Sequence, residues 1–127
     1  MSEPQPDFFV DDDAARGRLI ATNLASMPFS VSRVFFVSAP GRPVTRGGHV
    51  TTCHEVICVV SGSVLIRSSV MSNNTVETSE HLLSDPGDSL IVSEGMFIEY
   101  DLQTSNSEIL VFASAEFQPT QLADFTP

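Results

Sequence analysis

An all-β sandwich or barrel is the fold class this sequence predicts, and three observations predict it. Short runs of apolar, β-branched and aromatic residues recur along the chain. Turn-forming residues separate them at close spacing, and no stretch carries convincing helical periodicity. The runs fall at 8–10, 18–22, 33–38, 55–61, 64–68, 76–83, 89–92, 97–102 and 108–115. The chain turns at Pro40-Gly41, Ser61-Gly62, Ser72-Asn73-Asn74, Pro86-Gly87 and Ser105-Asn106-Ser107. Proline presets φ at such positions, and glycine and asparagine accept the left-handed region. The one weak helical stretch, 11–16, is too short to stand alone.

Taken in order, Phe8-Phe9-Val10 and Arg18-Leu19-Ile20-Ala21-Thr22 read as the first two strands. Arg33-Val34-Phe35-Phe36-Val37 is apolar on both faces, and so is 55–60, where Glu55, Ile57 and Val59 alternate with Val56, Cys58 and Val60. Such strands line a barrel on one side and meet a second layer on the other. That layer is either a partner protomer, which predicts a homodimer, or the chain's own segments. The later runs are short strands bounded by turns. The expected organisation is a single domain over 1–127, with loosely held tails at 1–6 and 119–127.

Composition narrows the function. At 127 residues and 42% apolar content the chain can bury about two-thirds of its unfolded surface. A net charge of −10 excludes a phosphate-backbone partner, which needs many neutralising cations. All six basic residues are Arg, so a Schiff-base mechanism has no nucleophile, and a substrate anion must be met by Arg or by backbone N–H groups. The acidic start lacks an apolar run, and no stretch approaches the roughly 18 apolar residues of a membrane helix. Cys53 and Cys58, on what reads as one strand, are too far apart to bridge. Reduced thiols and a cytoplasmic location are expected, and the sequon Asn73-Asn74-Thr75 then has no meaning.

Chemistry concentrates between residues 46 and 62. Arg46-Gly47-Gly48-His49-Val50-Thr51-Thr52-Cys53-His54-Glu55, with Gly62 beyond, resembles the first motif of the cupin barrels: G, H-x-H, three or four residues, E, six residues, G. His49, Glu55 and Gly62 match, whereas Thr51 stands in the slot of the second histidine. The second motif, G, five residues, P-x-G, two residues, H, runs from Gly87 to Ile98, with Ser93 for the proline and Ile98 for the histidine. The resemblance implies a double-stranded β-helix, the cupin jelly roll. It also implies a metal cage in most members, since imidazole and carboxylate suit first-row divalent ions. Two surviving ligands rarely hold a metal, so neither a metal nor any other cofactor is expected.

What remains is an acid–base pair, His49 and Glu55, in an apolar cavity. Burial raises a carboxyl pKa and lowers that of an imidazole, bringing both toward neutrality. The bland alternatives are a loop histidine satisfied by backbone and a Glu55 paired with Arg46. Tyr100, two residues beyond Ile98 and on its face, offers a hydroxyl to a substrate oxygen, or is a plain core tyrosine. His54 should face away from the barrel, His81 should be solvated, and Cys53 has nothing nearby to lower its pKa.

A closer resemblance rests on Gly17-Arg18-Leu19-Ile20-Ala21, Met27-Pro28-Phe29-Ser30-Val31-Ser32-Arg33-Val34-Phe35-Phe36-Val37, Arg46-Gly47-Gly48-His49 and Val111-Phe112-Ala113-Ser114. These resemble the sugar-nucleotide 3,4-ketoisomerases, with their R-G-x-L, I-P-F-x-I-K-R-V-Y-Y and R-G-x-H-A-H-K segments. That family implies a metal-free dimeric cupin with exchanged N-terminal strands, which moves a carbonyl from C4 to C3 of a thymidine-diphospho-4-keto-6-deoxyhexose through an enediol. It further implies His49 as a catalytic base and Arg46 as a substrate ligand.

The chain departs from that pattern at Thr51 and Thr52, at Phe35-Phe36 in place of two tyrosines, and at Phe97-Ile98 in place of Trp-His. Glu55 stands where glutamine is usual. The expected site is therefore His49, Glu55 and Tyr100 as catalytic groups, with Arg33, Phe36, Arg46, Thr51 and Ile98 binding a small-molecule substrate. The expected activity is metal-independent acid–base isomerisation or cyclisation of a small carbonyl metabolite in natural-product or deoxysugar biosynthesis. A non-catalytic small-molecule-binding cupin and a true ketoisomerase are the alternatives.

Overall fold

The computed structural model describes residues 6–116. The expected loose tails at 1–5 and 119–127 lie outside the described residues, while Pro6 is buried. Ten strands form: β1 Phe8–Asp13, β2 Gly17–Thr22, β3 Arg33–Ser38, β4 Val44–Val50, β5 Glu55–Ser61, β6 Val64–Ser72, β7 Thr75–Leu83, β8 Ser89–Val92, β9 Phe97–Leu102 and β10 Glu108–Ala113. They make a two-stranded hairpin, β1-β2, and two antiparallel four-stranded sheets ordered β3-β10-β5-β8 and β4-β9-β6-β7. This is the all-β cupin jelly roll that the motif spacing implies.

Local chemistry explains the boundaries. The weak helical stretch at 11–16 is instead the end of β1 and a tight turn, because Asp13 Oδ1 accepts the backbone N–H groups of Ala15 and Arg16. The β6-β7 hairpin turns on Asn73 and Asn74 at φ 50° and 64°, the left-handed pair that a two-residue hairpin needs. Gly62 lies between β5 and β6 against Thr104 and Ser107, where a Cβ would overlap both residues. Strand β4 lies outside the apolar runs, since Gly47-Gly48 interrupt its pattern.

The core fills the space between the two sheets: Ile57, Val59, Val64, Ile66, Leu83, Val92, Ile98, Tyr100, Leu102, Ile109 and Val111. The outer face of β5 is covered by the chain itself, with Val56 and Phe112 packed on Met27 and flanked by Phe8, Phe29 and Val31. Ring centroids of Phe8 and Phe112 lie 5.9 Å apart, and Arg18 Nη1 donates to Val60 O at 2.7 Å to tie the hairpin down. Of the two readings for the doubly apolar strands, β5 follows the self-covered one. The outer face of β3 does not, since Val34 and Phe36 stay open to solvent.

Candidate active site

Register assigns each side chain to a wall. On the sheet containing β4, the inward rows run His49–Ile98–Ser68–Ser79, then Arg46–Tyr100–Ile66–His81, then Val44–Leu102–Val64–Leu83. Facing them are Arg33–Ala113–Glu55–Val92, then Phe35–Val111–Ile57–Leu90, then Val37–Ile109–Val59. The rows at one end are aliphatic and close the core, and the polar groups gather at the other end.

A bulge brings Arg46 and His49 to the same wall. Residues three apart on a regular strand face opposite sides. Here the register with β9 jumps between Gly47 and His49, with Gly47 at φ 93° and Gly48 at φ 81°. A Cβ on Gly47 would sit 2.9 Å from Ile98 O, so only glycine allows the approach.

Glu55 is 4% exposed, and its Oε1 has no hydrogen-bond partner among the described residues. Burial pushes its carboxyl up to about 7, against a smaller opposing pull from Arg33. Half-buried His49 is held below the usual imidazole value by burial and then by Arg33. Tyr100 is driven well above the phenol range by burial, with the Glu55 charge adding to it and Arg33 opposing. One guanidinium is thus felt by all three acid–base groups. It lies over the Phe35 ring, 5.0 Å from Cζ to centroid.

The expected site residues divide. His49, Glu55, Tyr100, Arg33 and Ile98 share the inward faces, whereas Arg46, in register with Tyr100, is exposed to solvent. The pairing of Glu55 with Arg46 is absent; Arg46 forms no ion pair among the described residues, and the nearby cation is Arg33. Phe36 is a correction: it registers with Leu110 on the outer face and is 64% exposed, so Phe35 lines the cavity instead. Thr51 is buried, but its hydroxyl donates to Ser93 O at 2.8 Å and accepts from Met96 N at 3.1 Å, clamping the loop after β4 to the one before β9.

His54 does face outward, where Nδ1 accepts from Glu94 N and the ring stacks on Phe29. His81 is a second correction: it is partly buried on the inner wall beside Ile66, and the alternation Leu83-in, Leu82-out was the signal for it. Cys53 and Cys58 are free and buried, and burial raises the Cys58 thiol to about 11. Among the described residues, no three His, Cys, Asp or Glu side chains converge as a metal site, and no helix is long and apolar enough to cross a membrane.

The fold has counterparts. The QdtA sugar 3,4-ketoisomerase of Thermoanaerobacterium thermosaccharolyticum, solved in complex with TDP, is 27% identical with a TM-score of 0.72, over 91% of this chain and 82% of that one. A 3,4-ketoisomerase of Helicobacter canadensis is 25% identical with a TM-score of 0.68, over 93% and 90%. A dTDP-4-dehydrorhamnose 3,5-epimerase of Bacillus anthracis, at 16% identity and TM-score 0.67 over 91% and 73%, shares the fold. No curated protein matches the sequence. The family described as FdtA: WxcM-like, C-terminal matches residues 7–126, so the chain belongs to the WxcM-like C-terminal family of cupins.

Proposed function

We propose that this chain is a metal-independent isomerase acting by acid–base catalysis on a small carbonyl metabolite, in deoxysugar or natural-product biosynthesis. The observation that carries the reading is Glu55, a buried carboxyl with a bare Oε1 and a pKa near 7, on the wall facing His49. A group poised near the working pH is the form a general acid or base takes. The solved 3,4-ketoisomerases of the same fold support the reaction class.

In the proposed cycle, neutral His49 takes the proton from the carbon next to the carbonyl. Protonated Glu55 gives its proton to the carbonyl oxygen, forming an enediol. The neighbouring hydroxyl then returns a proton to Glu55, and His49 returns its own to the former carbonyl carbon. No atoms are gained or lost. Arg33 and the un-ionised Tyr100 hydroxyl stabilise the oxygen on which charge develops.

The test is deuterium exchange followed by NMR, with a 4-keto-6-deoxy sugar offered free and as its TDP ester. His49→Ala and Glu55→Gln should each slow exchange about 10²-fold or more. Losses below about threefold in both variants reject the assignment. Exchange confined to the TDP ester identifies a true sugar-nucleotide ketoisomerase, the second reading, favoured by the TDP complex of the Thermoanaerobacterium enzyme. Binding without exchange of either sugar leaves a non-catalytic cupin.

A homodimer belongs to the same proposal. The open outer face of β3 carries Val34 and Phe36 at 49% and 64% exposure, and Phe9 and Leu19 of the hairpin are also exposed. A second copy of this chain covers such a surface without new chemistry.

A further inference from the structure

We propose that His54 is a positioning residue: from the outside of the barrel it pins the crossover that sets Glu55 on the wall facing His49. The inference rests on the acid–base reading of Glu55 and His49, and it names what holds the acid in place.

The first observation is how the chain passes between the sheets. Residues 51–54 carry it from β4 to β5, and residues 93–96 carry it from β8 to β9, each changing sheet. Glu55 and Val92, the strand ends beside these crossovers, are register partners, so the two run side by side. They are tied together at both ends. Thr51 N donates to Met96 O and Gly95 N donates to Thr51 O, both at 2.9 Å, alongside the Thr51 hydroxyl contacts with Ser93 and Met96. Toward Glu55, Glu94 N donates to His54 Nδ1 at 3.3 Å. The crossover 51–54 joins the strands that carry His49 and Glu55, so its shape sets their spacing.

The second observation is the number of segments that meet at His54. Its N–H donates to Ser114 Oγ at 3.0 Å and its carbonyl accepts from Ser114 N at 2.9 Å, prolonging the β5-β10 pairing past Glu55 and Ala113. The ring stacks on Phe29, with centroids 6.3 Å and planes 25° apart. Phe29 in turn packs on the cluster of Met27, Val56 and Phe112 that covers the outer face of β5. His54 is itself exposed, so its ring gains little from burial. Directed contacts of this kind fix geometry instead of filling a core.

The third observation is what the next residue needs. Glu55 is buried, and its Oε1 has no hydrogen-bond partner among the described residues. The backbone that carries the carboxyl therefore sets where that oxygen points. Successive strand residues face opposite sides, so a twist that swings His54 off Glu94 also turns Glu55 toward water. Holding the outer ring keeps the inner carboxyl dry.

The experiment follows the Glu55 carboxyl by carbon NMR during pH titration without substrate, its signal assigned by its loss in Glu55→Gln. His54→Ala and His54→Phe should each raise its acid dissociation constant about tenfold or more, as water reaches a group that burial had kept protonated. His54→Asn, whose Oδ1 can accept from Glu94 N, should stay within about threefold of the wild type. The control is Ser107, a buried hub at the opposite end of β10, bonded to Thr104 N, Ser63 N and Ser63 O. Ser107→Ala should lower stability and leave the constant unmoved. An unchanged constant in His54→Ala overturns the proposal, and so does an equal rise in Ser107→Ala. A fall in the constant also overturns it, since that is what losing a nearby positive charge gives. Wild-type behaviour of His54→Phe with Ala-like behaviour of His54→Asn overturns the Nδ1 tie in favour of stacking alone. Should His54→Ala fail to fold, the Phe and Asn variants decide. Deuterium exchange into the 4-keto-6-deoxy sugar reads the catalytic proposal separately. A constant that moves with His54 in a protein that exchanges nothing leaves the tie standing and removes the acid–base reading.

Discussion

Replacing Glu55 by Gln should stabilise the protein at neutral and alkaline pH while removing activity. The carboxyl has an ordinary value of 4.5 and a folded value of about 7, raised first by burial and opposed by Arg33. The folded chain therefore holds a proton that the unfolded chain has released, and stability falls as pH rises from 4.5 to about 7. Above that window the penalty is complete. The gap of about 2.5 between the two values, at about 1.36 kcal/mol each, comes to about 3 kcal/mol. Glutamine resembles the protonated acid in shape and cannot ionise, so it carries no such penalty.

The measurement is urea unfolding of both proteins at pH 4.5 and pH 8. The Gln-minus-wild-type difference should be near zero at the lower pH and reach about 3 kcal/mol at the higher, roughly 10 °C in Tm. Other titrating groups contribute equally to both proteins and cancel. A difference that stays constant across the range would show that Glu55 is ionised in the folded chain, and the proposed acid would be lost with it. Such a trade of stability for a working carboxyl is common at catalytic sites.

Further outcomes follow from the same geometry. The pH profile of kcat/KM should be a narrow bell: its acid limb reports His49, depressed below 6.5, and its alkaline limb reports Glu55 near 7. Glu55→Gln should abolish most turnover, but the Arg33→Lys profile should keep both limbs and shift them. Gly47→Ala should cost about 1–2 kcal/mol by chemical denaturation, from its left-handed φ and the Cβ contact with Ile98 O, and should lower kcat by moving His49. Thr51→Val should cost about 1–3 kcal/mol by the same assay, since Ser93 O and Met96 N lose their shared hydroxyl. Phe36→Ser should leave the exchange rate of the monomer unchanged and weaken self-association measured by sedimentation, because the side chain points away from the cavity.

Much of the fold was legible because two signals agreed along most of the chain. Turn residues bounded the runs, and alternation within 55–60 put Glu55, Ile57 and Val59 on one face, as the structure has them. Where both faces are apolar, alternation carries no sign. Val34-Phe35-Phe36-Val37 fits either parity, and only pairing with β10 decides that Phe35 is inside. Strand β4 escaped for the opposite reason: its glycines erase the pattern and create the bulge that puts Arg46 and His49 on one wall. Thr78, Ser79 and Glu80 make His81 read as solvated, although Leu83 two residues on shows which face is inward.

The electrostatics of the site depend on long-range contacts that no local spacing encodes. Arg33 and Glu55 are neighbours across Ala113 only because β3 and β5 both pair with β10. The same pairing explains how a histidine can be lost from the H-x-H motif without emptying the site of acid–base groups. At position 51 a hydroxyl now braces two loops, which keeps Ile98 and His49 in register. In the proposed cycle the titratable role falls to Glu55 on the opposite sheet, where burial raises the pKa and Arg33 limits the rise. Two imidazoles on one strand would exchange protons along a single face of a substrate. In the proposed cycle a histidine and a carboxyl on facing sheets instead hold it between them.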